Sequence, residues 1–393
     1  MENLNNRILA NPVISTIFAP GFEVYLVGGY IRDVLRGFKP TDVDIVVRGN
    51  FQPLLSRIAA STDGKIIDFE KGGGISRIIF DTTTIDLTAM QGSIEDDLSR
   101  RDFTMNAIAW SPERGIVDPL GGLRDIQRGT IRAVSRCNFS DDPIRLLRTY
   151  RFLGEFGWRI DSKTRNFVRE LKESLRLSSF ERITLEFLRL LNSKDHLKAL
   201  KLSYADGLLN IFLALDSCEL FMNIKALSRF KSFLEKIPNA YHPNGDRTIS
   251  QGLSQAGLLR AEILLFKAKL EKNRLRLSNA ILKRLKVTSI LLEEFQKTKS
   301  VGRQRLFDLF YASGDALLDF ALLTRNRKIL HEAMRFLNMR SLVATQEIMD
   351  LTGVKGGVEL GAFLKELKRM QFLGKIAQRA DALRLVSNGL NVS

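Results

Sequence analysis

The sequence predicts a small α/β domain followed by a long, mostly α-helical body. Three observations carry that prediction. The first third holds short β-branched runs, "VYLVGG", "VDIVV", "GKIIDF", "SRIIF" and "TTIDLT", separated by turn residues as the strands of a small sheet would be. From about Asp141 the texture changes: "DDPIRLLRTYRFLGEFGW" and "SKTRNFVRELKESLRL" carry apolar residues at i, i+3, i+4 and i+7, a helical period that continues with interruptions. A chain of 393 residues with 45% hydrophobic content can fill two or more cores. Breaks between helices are expected at "NSKD" (192–195), "IPNAYHPNGDRT" (237–248) and "LTGVKGG" (351–357).

Composition narrows the function classes. The stretch "MENLNNRILANPVISTIF" lacks the basic and apolar regions of a signal peptide, so none is expected. No uncharged run approaches the roughly 18 residues of a membrane-spanning helix. Cys137 and Cys218 lie far apart without CxxC spacing, which argues against a disulfide framework or a cysteine zinc site and for a cytoplasmic setting. His196, His242 and His331 are isolated, with no HD or HExxH spacing, and no GxxxxGK[ST] loop is present. The net charge of +16 points to a polyanionic partner, nucleic acid before anionic membrane. Much of the excess lies on helical stretches such as "KAKLEKNRLRLSNAILKRLK" (267–286), a pattern that a solvated helix face also produces.

Two carboxylates interrupt an otherwise hydrophobic strand. In "VDIVV" and the residue before it, period-two geometry places Asp42 and Asp44 on one face and Val43 and Ile45 on the other. The pair is either a strand end turned to water or a site for a hard divalent cation completed by phosphate oxygens. Upstream, "VYLVGGY" reads as a strand running into Gly28 and Gly29, then a helix with Arg32 and Asp33. There, glycine amides and a helix N-terminus can cradle phosphates. Strand, glycine turn, helix and DxD strand together form the pattern of the DNA polymerase beta nucleotidyltransferase superfamily.

A narrower resemblance follows from the ordered motifs. "GGYIRD", "TDVDIVV", "RRDFTMNAIAW" (100–110), "DPLGGLRDIQRGTIRAV" (118–134), "DDPIRLLRTYRFLGEFGW" (141–158) and "ERITLEFLRLL" (181–191) resemble the class II tRNA nucleotidyltransferases and the related bacterial poly(A) polymerases. The stretch "GVKGGVELGAFLKELKRMQFLGKI" (353–376) is similar to the tail of longer family members, whereas 195–350 has only helical texture. The resemblance implies an α/β nucleotidyltransferase head (a small mixed sheet with helices) over 1–136. A helical neck that recognises the nucleotide over 137–195 and a helical body and tail binding tRNA over 196–393 would follow.

The same resemblance implies roles. Asp42 and Asp44 would hold two Mg2+ ions bridging the triphosphate and the attacking 3'-hydroxyl for in-line attack on the α-phosphate with release of pyrophosphate, and Asp86 is the candidate third catalytic carboxylate. Arg101, Asp102 and Asn106 would position the ribose and phosphates, as basic and hydrogen-bonding groups suit; a salt-bridged helix start with Asp102 as its cap is the other reading. Asp142 and Arg145, three apart at the expected start of a helix, would template CTP and ATP by pairing with the base edge. Asp141 stands where relatives mostly have Glu, which leaves its role open. Arg148 and Arg151 would add nucleotide or RNA contact, or stand as surface cations.

Departures bear on the subclass. Only "LTAMQGSI" separates Asp86 from the "EDDLSRRDF" motif, where many relatives that add all three nucleotides carry a longer loop. The shortness suits an enzyme adding two cytidines, or a subgroup that switches nucleotide another way. Gly356 and Val358 replace positions that are often proline in relatives. "IIDFEKGGGISRIIF" lacks the basic signature usual in poly(A) polymerases. The expected function is addition of C and/or A from CTP and ATP to the tRNA 3' end, with the acceptor arm as partner and no membrane or protein partner. A poly(A) polymerase, a catalytically silent RNA-binding protein and a small-molecule nucleotidyltransferase are the alternatives.

Overall fold

The computed structural model describes residues 7–9, 12–18, 21–38, 40, 42–68, 74–81, 83–243, 247–297, 301–354 and 356–387. Thr41, residues 69–73, 244–246 and Lys355, which fall within motifs and breaks quoted above, lie outside the described residues. The chain forms two compact units, Met1–Asp216 with Glu271–Arg276, and Ser217–Leu270 with Leu277–Ser393.

The first unit is built on a mixed sheet of β1 (Val24–Val27), β2 (Asp42–Val47), β3 (Lys65–Asp68), β4 (Ile75–Phe80), β5 (Thr83–Ala89), β6 (Ala109–Ser111) and β7 (Gly115–Val117). Its order is β3-β4-β5-β2-β1-β6-β7. β2 and β5 run parallel, and the other neighbours are antiparallel. The five β-branched runs of the sequence become β1 to β5. β6 and β7 escape the sequence reading because three residues are too few to display an alternation.

The alternation in β2 works as the strand geometry requires. Val43, Ile45 and Val47 enter a core closed by α1 (Pro12–Ile17), α2 (Gly29–Leu35) and α3 (Gln52–Thr62). Asp42 and Asp44 fall on the other face with Val46, which packs beside Val27, Ile94 and Leu98. The short helix α4 (Ile94–Ser99) is nucleated by a capping box, in which Ser93 and Asp96 satisfy each other's backbone N–H groups.

Beyond the sheet come α5 (Gly122–Arg128), α6 (Arg136–Asp141), α7 (Ile144–Phe156), α8 (Ser162–Leu171), α9 (Phe180–Asn192) and α10 (His196–Ala205). α7 is the axis of this part: it packs against both α9 and α10 and stops at Gly157, whose φ of 70° suits glycine. The break at 192–195 separates α9 from α10. Just past α10, Asp206 is buried and accepts bonds from Tyr150 Oη, Arg165 Nε and Arg169 Nε, each at 2.7 Å. Residues 271–276 return to this unit as a strap. Arg274 N donates to Phe212 O at 2.9 Å, Arg276 N donates to Thr184 Oγ1 at 2.7 Å, and Asn273 Oδ1 accepts from Ala214 N.

The second unit is helical: α11 (Ser217–Leu234), α12 (Gln255–Leu264), α13 (Asn279–Gln296), α14 (Arg303–Ser313), α15 (Leu317–Leu323), α16 (Arg327–Asn338), α17 (Thr345–Thr352), α18 (Gly357–Leu373) and α19 (Arg379–Ser387). The expected break at 351–357 lies between α17 and α18. Phe307, Phe310, Phe336 and Phe372 form an aromatic centre, and Val343, Ile348, Phe363 and Leu367 anchor a second cluster. Glu262 and Asp319 are buried together, with Asp319 bound by Arg284. Burial pushes the Glu262 carboxyl well above its ordinary range and the charge of Asp319 adds to the effect. Among the described residues no helix is long and apolar enough to cross a membrane.

Candidate active site

Three strands bring charge to one level. Asp44 on β2 is in register with Asp86 on β5, and Asp86 is in register with Arg77 on β4. Arg77 grips Asp86 through Nε to Oδ1 at 2.6 Å and Nη2 to Oδ2 at 2.7 Å. Burial pushes the Asp44 carboxyl up; the guanidinium of Arg101 opposes this, and the charges of Asp86 and Asp42 add to it. Gly28 backs the cluster at φ 72°, where a Cβ would stand 3.0 Å from Arg101 Nη1 and 3.3 Å from Asp44 Oδ2. The dihedral favours glycine there, and a side chain would crowd both groups.

The glycine turn leads into an arginine-lined wall. Arg32 pairs with Asp33 at 2.8 Å, donates to Asn106 Oδ1 at 2.5 Å, and lies over the rings of Phe152 and Phe156. Arg101 is fixed by Asp97, one helical turn before it, at 2.9 Å. Asp102 is buried and does not act as a helix cap. It accepts from its neighbour Phe103 N and from Asn106 Nδ2, and pairs with Arg148 at 3.0 Å. Burial works against its charge, but Arg148, Asn106 and the Phe103 amide outweigh that and hold the carboxyl below its usual range.

Asp142 and Arg145 are arranged differently from the expectation. Asp142 ends α6 instead of opening a helix, and α7 begins at Ile144 after Pro143. Both oxygens of Asp142 accept from Arg182, each at 2.9 Å, while Arg145 reaches it only at 3.7 Å and donates to the carbonyls of Arg100 and Asn138. The cause is α9, which carries Arg182 against the α6–α7 corner. Asp141 is exposed. Arg151 is buried: it pairs with Glu155 at 2.8 Å and Glu186 at 2.5 Å above the Phe152 ring, so the reading as a surface cation does not hold.

These groups surround a cleft of about 1150 Å³. Of the residues expected to act, Gly28, Gly29, Arg32, Asp33, Asp42, Asp44, Asp86, Arg101, Asp102, Asn106, Arg145, Arg148 and Arg151 line it, and Asp141 and Asp142 do not. Sequence reasoning missed Arg77, Arg182 and Glu186. The last two sit at i and i+4 in "ERITLEFLRLL", a spacing that signals a shared helix face, but Arg77 has no local signal because strand register joins it to Asp86. Asp42 and Asp44 fit a divalent cation, since an ion there would relieve the repulsion that burial makes costly for Asp44. The cleft therefore combines acidic oxygens for a cation with a basic wall for an anion, an arrangement suited to a nucleoside triphosphate.

The family pattern described as the "Poly A polymerase head domain" matches residues 75–132. A second, the "Probable RNA and SrmB- binding site of polymerase A", matches residues 157–217. The "CC-adding tRNA nucleotidyltransferase" of Synechocystis sp. is 27% identical over 390 residues, which cover 92% of each chain. The "CCA-adding enzyme" of Leuconostoc mesenteroides is 31% identical over 215 residues, 51% of this chain and about half (54%) of that relative. In fold, the chain is similar to the Thermotoga maritima CCA-adding enzyme solved with tRNA, with a TM-score of 0.73 at 22% identity over 99% of this chain and 96% of that one.

Proposed function

The chain belongs to the class II CCA-adding nucleotidyltransferase family, and on that premise we propose that it extends the 3' end of tRNA from CTP or ATP without a template. The observation that carries this reading is the single cleft in which Asp42 and Asp44 face the Gly28 turn, Arg101 and the Asp102–Arg148 pair. Asp42 and Asp44 would hold a hard divalent ion, Mg2+ in this reading. When bound, the ion supplies neutralisation of triphosphate charge and a more acidic 3'-hydroxyl. Arg32 and Arg101 attract the triphosphate, while the buried Asp102–Asn106 pair offers hydrogen bonds to the ribose. Arg145, which lines the cleft, donates to acceptor atoms on the base; Asp142, outside the cleft lining and held by Arg182, would have to turn toward the nucleotide to accept from the amino group of cytosine or adenine. The RNA 3'-hydroxyl gives up its proton to solvent and its oxygen bonds to the α-phosphorus as the bond from that phosphorus to the α–β bridging oxygen breaks, and pyrophosphate leaves.

Within the family we favour addition of the two cytidines. β5 ends at Ala89 and α4 begins at Ile94, so residues 90–93 alone fill the place of the longer loop, and the Synechocystis relative matched along its length is named as CC-adding. Labelled CTP and ATP offered with tRNAs ending at the discriminator base, at C and at CC test this. Two CMP additions and no AMP are expected. AMP on the CC-ended tRNA would make the enzyme CCA-adding, and long A-tails on a generic RNA would make it the poly(A) polymerase that the matched head-domain pattern is named for.

A further inference from the structure

Asp86 stands between opposite neighbours, with Asp44 level with it on one strand and Arg77 on the other. Its two oxygens are already taken by a side-on guanidinium at 2.6 and 2.7 Å, among the strongest pairings available to a carboxylate. To enter a cation's coordination shell it would have to give up that pair. An arginine also stays charged at every physiological pH, so the partner cannot be removed by deprotonation. Strand register holds the arrangement in place, since a slip by one residue on β4 would turn Arg77 to the other face and expose Ile78, which is fully buried.

We propose that Arg77 is a positioning residue which serves as the cluster's built-in cation, keeping Asp86 out of the metal shell so that Asp42 and Asp44 alone take up the divalent ion. This rests on the reading of those two aspartates as the ion's ligands. Its consequence is that the nucleotide-free site offers two protein carboxylates instead of three. Tight ion binding then waits for the oxygens of a triphosphate, which couples ion uptake to substrate.

The test is Mn2+ uptake by the full chain without nucleotide, followed by electron paramagnetic resonance. The proteins are the unaltered chain, Asp86→Asn, Arg77→Gln, Arg77→Lys, the double variant Arg77→Gln with Asp86→Asn, and Asp44→Asn. Asp86→Asn leaves the Arg77 cation unbalanced and should bind about tenfold more weakly, whereas the double variant, which removes both charges of the pair, should bind within about twofold of the unaltered protein. Arg77→Gln should bind about tenfold more tightly, the scale of one added charge at a partly exposed site. Arg77→Lys should restore the original affinity, the double variant should lose the gain, and Asp44→Asn should lose binding. A tenfold loss in the double variant relative to the unaltered protein overturns the proposal, because it would make Asp86 a ligand, and so does unchanged binding in Arg77→Gln. If Arg77→Gln melts early, the double variant decides, since it keeps shape at Asp86 and removes both charges of the pair. Extension of tRNA by the unaltered protein is measured in parallel. Absence of extension with Mn2+ still held by Asp44 would refute the transfer reading and leave the role of Arg77 standing.

Discussion

At Asp44 burial opposes the charge and Asp42 and Asp86 add like charge nearby, against the pull of Arg101. An amide in its place removes the repulsion together with the ligand. Asp44→Asn is therefore expected to keep or raise the melting temperature at pH 8 while cutting nucleotide incorporation by about a thousandfold, about 4 kcal/mol of lost transition-state stabilisation. Arg182 offers a second test, because it holds the Asp142 carboxylate from outside the cleft. In Arg182→Ala, incorporation of UTP or GTP relative to CTP should rise about tenfold or more, with total incorporation falling less; unchanged selectivity would show that Asp142 needs no such support. The aspartate pair was legible because a strand has period two and two charges on one face need an explanation. Arg77 and Arg182 were not, since Arg77 meets its carboxylate through the register of two adjacent strands and Arg182 through packing of a helix 40 residues further on.

Elements show the same division between local and non-local signal. The helical period announced α7 and α8, and β-branched runs announced β1 to β5, but neither reveals that β2 and β5 lie side by side in parallel. The α6–α7 corner was misjudged because Pro143 shifts the start of the helix past Asp142, a local effect that the "DDPIR" spacing hides. Asp206 ties α7, α8 and the end of α10 together through Tyr150, Arg165 and Arg169. Burial disfavours its charge, but the bonds from Arg165, Tyr150 and Arg169 outweigh that and hold the carboxyl below its ordinary range. With the folded value depressed, the stabilisation is present above the unfolded value near 3.9 and is lost as pH falls through the folded one. Asp206→Asn should cost about 2 kcal/mol at pH 7, with the gap to the unaltered protein closing toward pH 3 in thermal melts.

For the whole molecule, the same linkage runs in reverse at Glu262. Burial raises its folded value above the unfolded one, so stability falls as pH climbs from the unfolded value toward the folded one. Glu262→Gln keeps the shape of the protonated acid and should stabilise the second unit by about 1 kcal/mol or more at pH 8, with no gain at pH 4; a melt insensitive to pH in both proteins would contradict the assignment. The strap at 271–276 gives the chain a further property. The polypeptide passes between its two units three times, after Asp216, after Leu270 and after Arg276. One proteolytic nick at any of these passages cuts the chain into two pieces, but one piece always keeps a segment that folds into the unit of the other, so packing alone holds them together; a fragment ending at Asp216 keeps the cleft but forfeits Asn273 and Arg276 as partners of Ala214 and Thr184. Such a fragment should melt below the intact protein's first unit, and a synthetic peptide of the missing stretch should recover part of the difference.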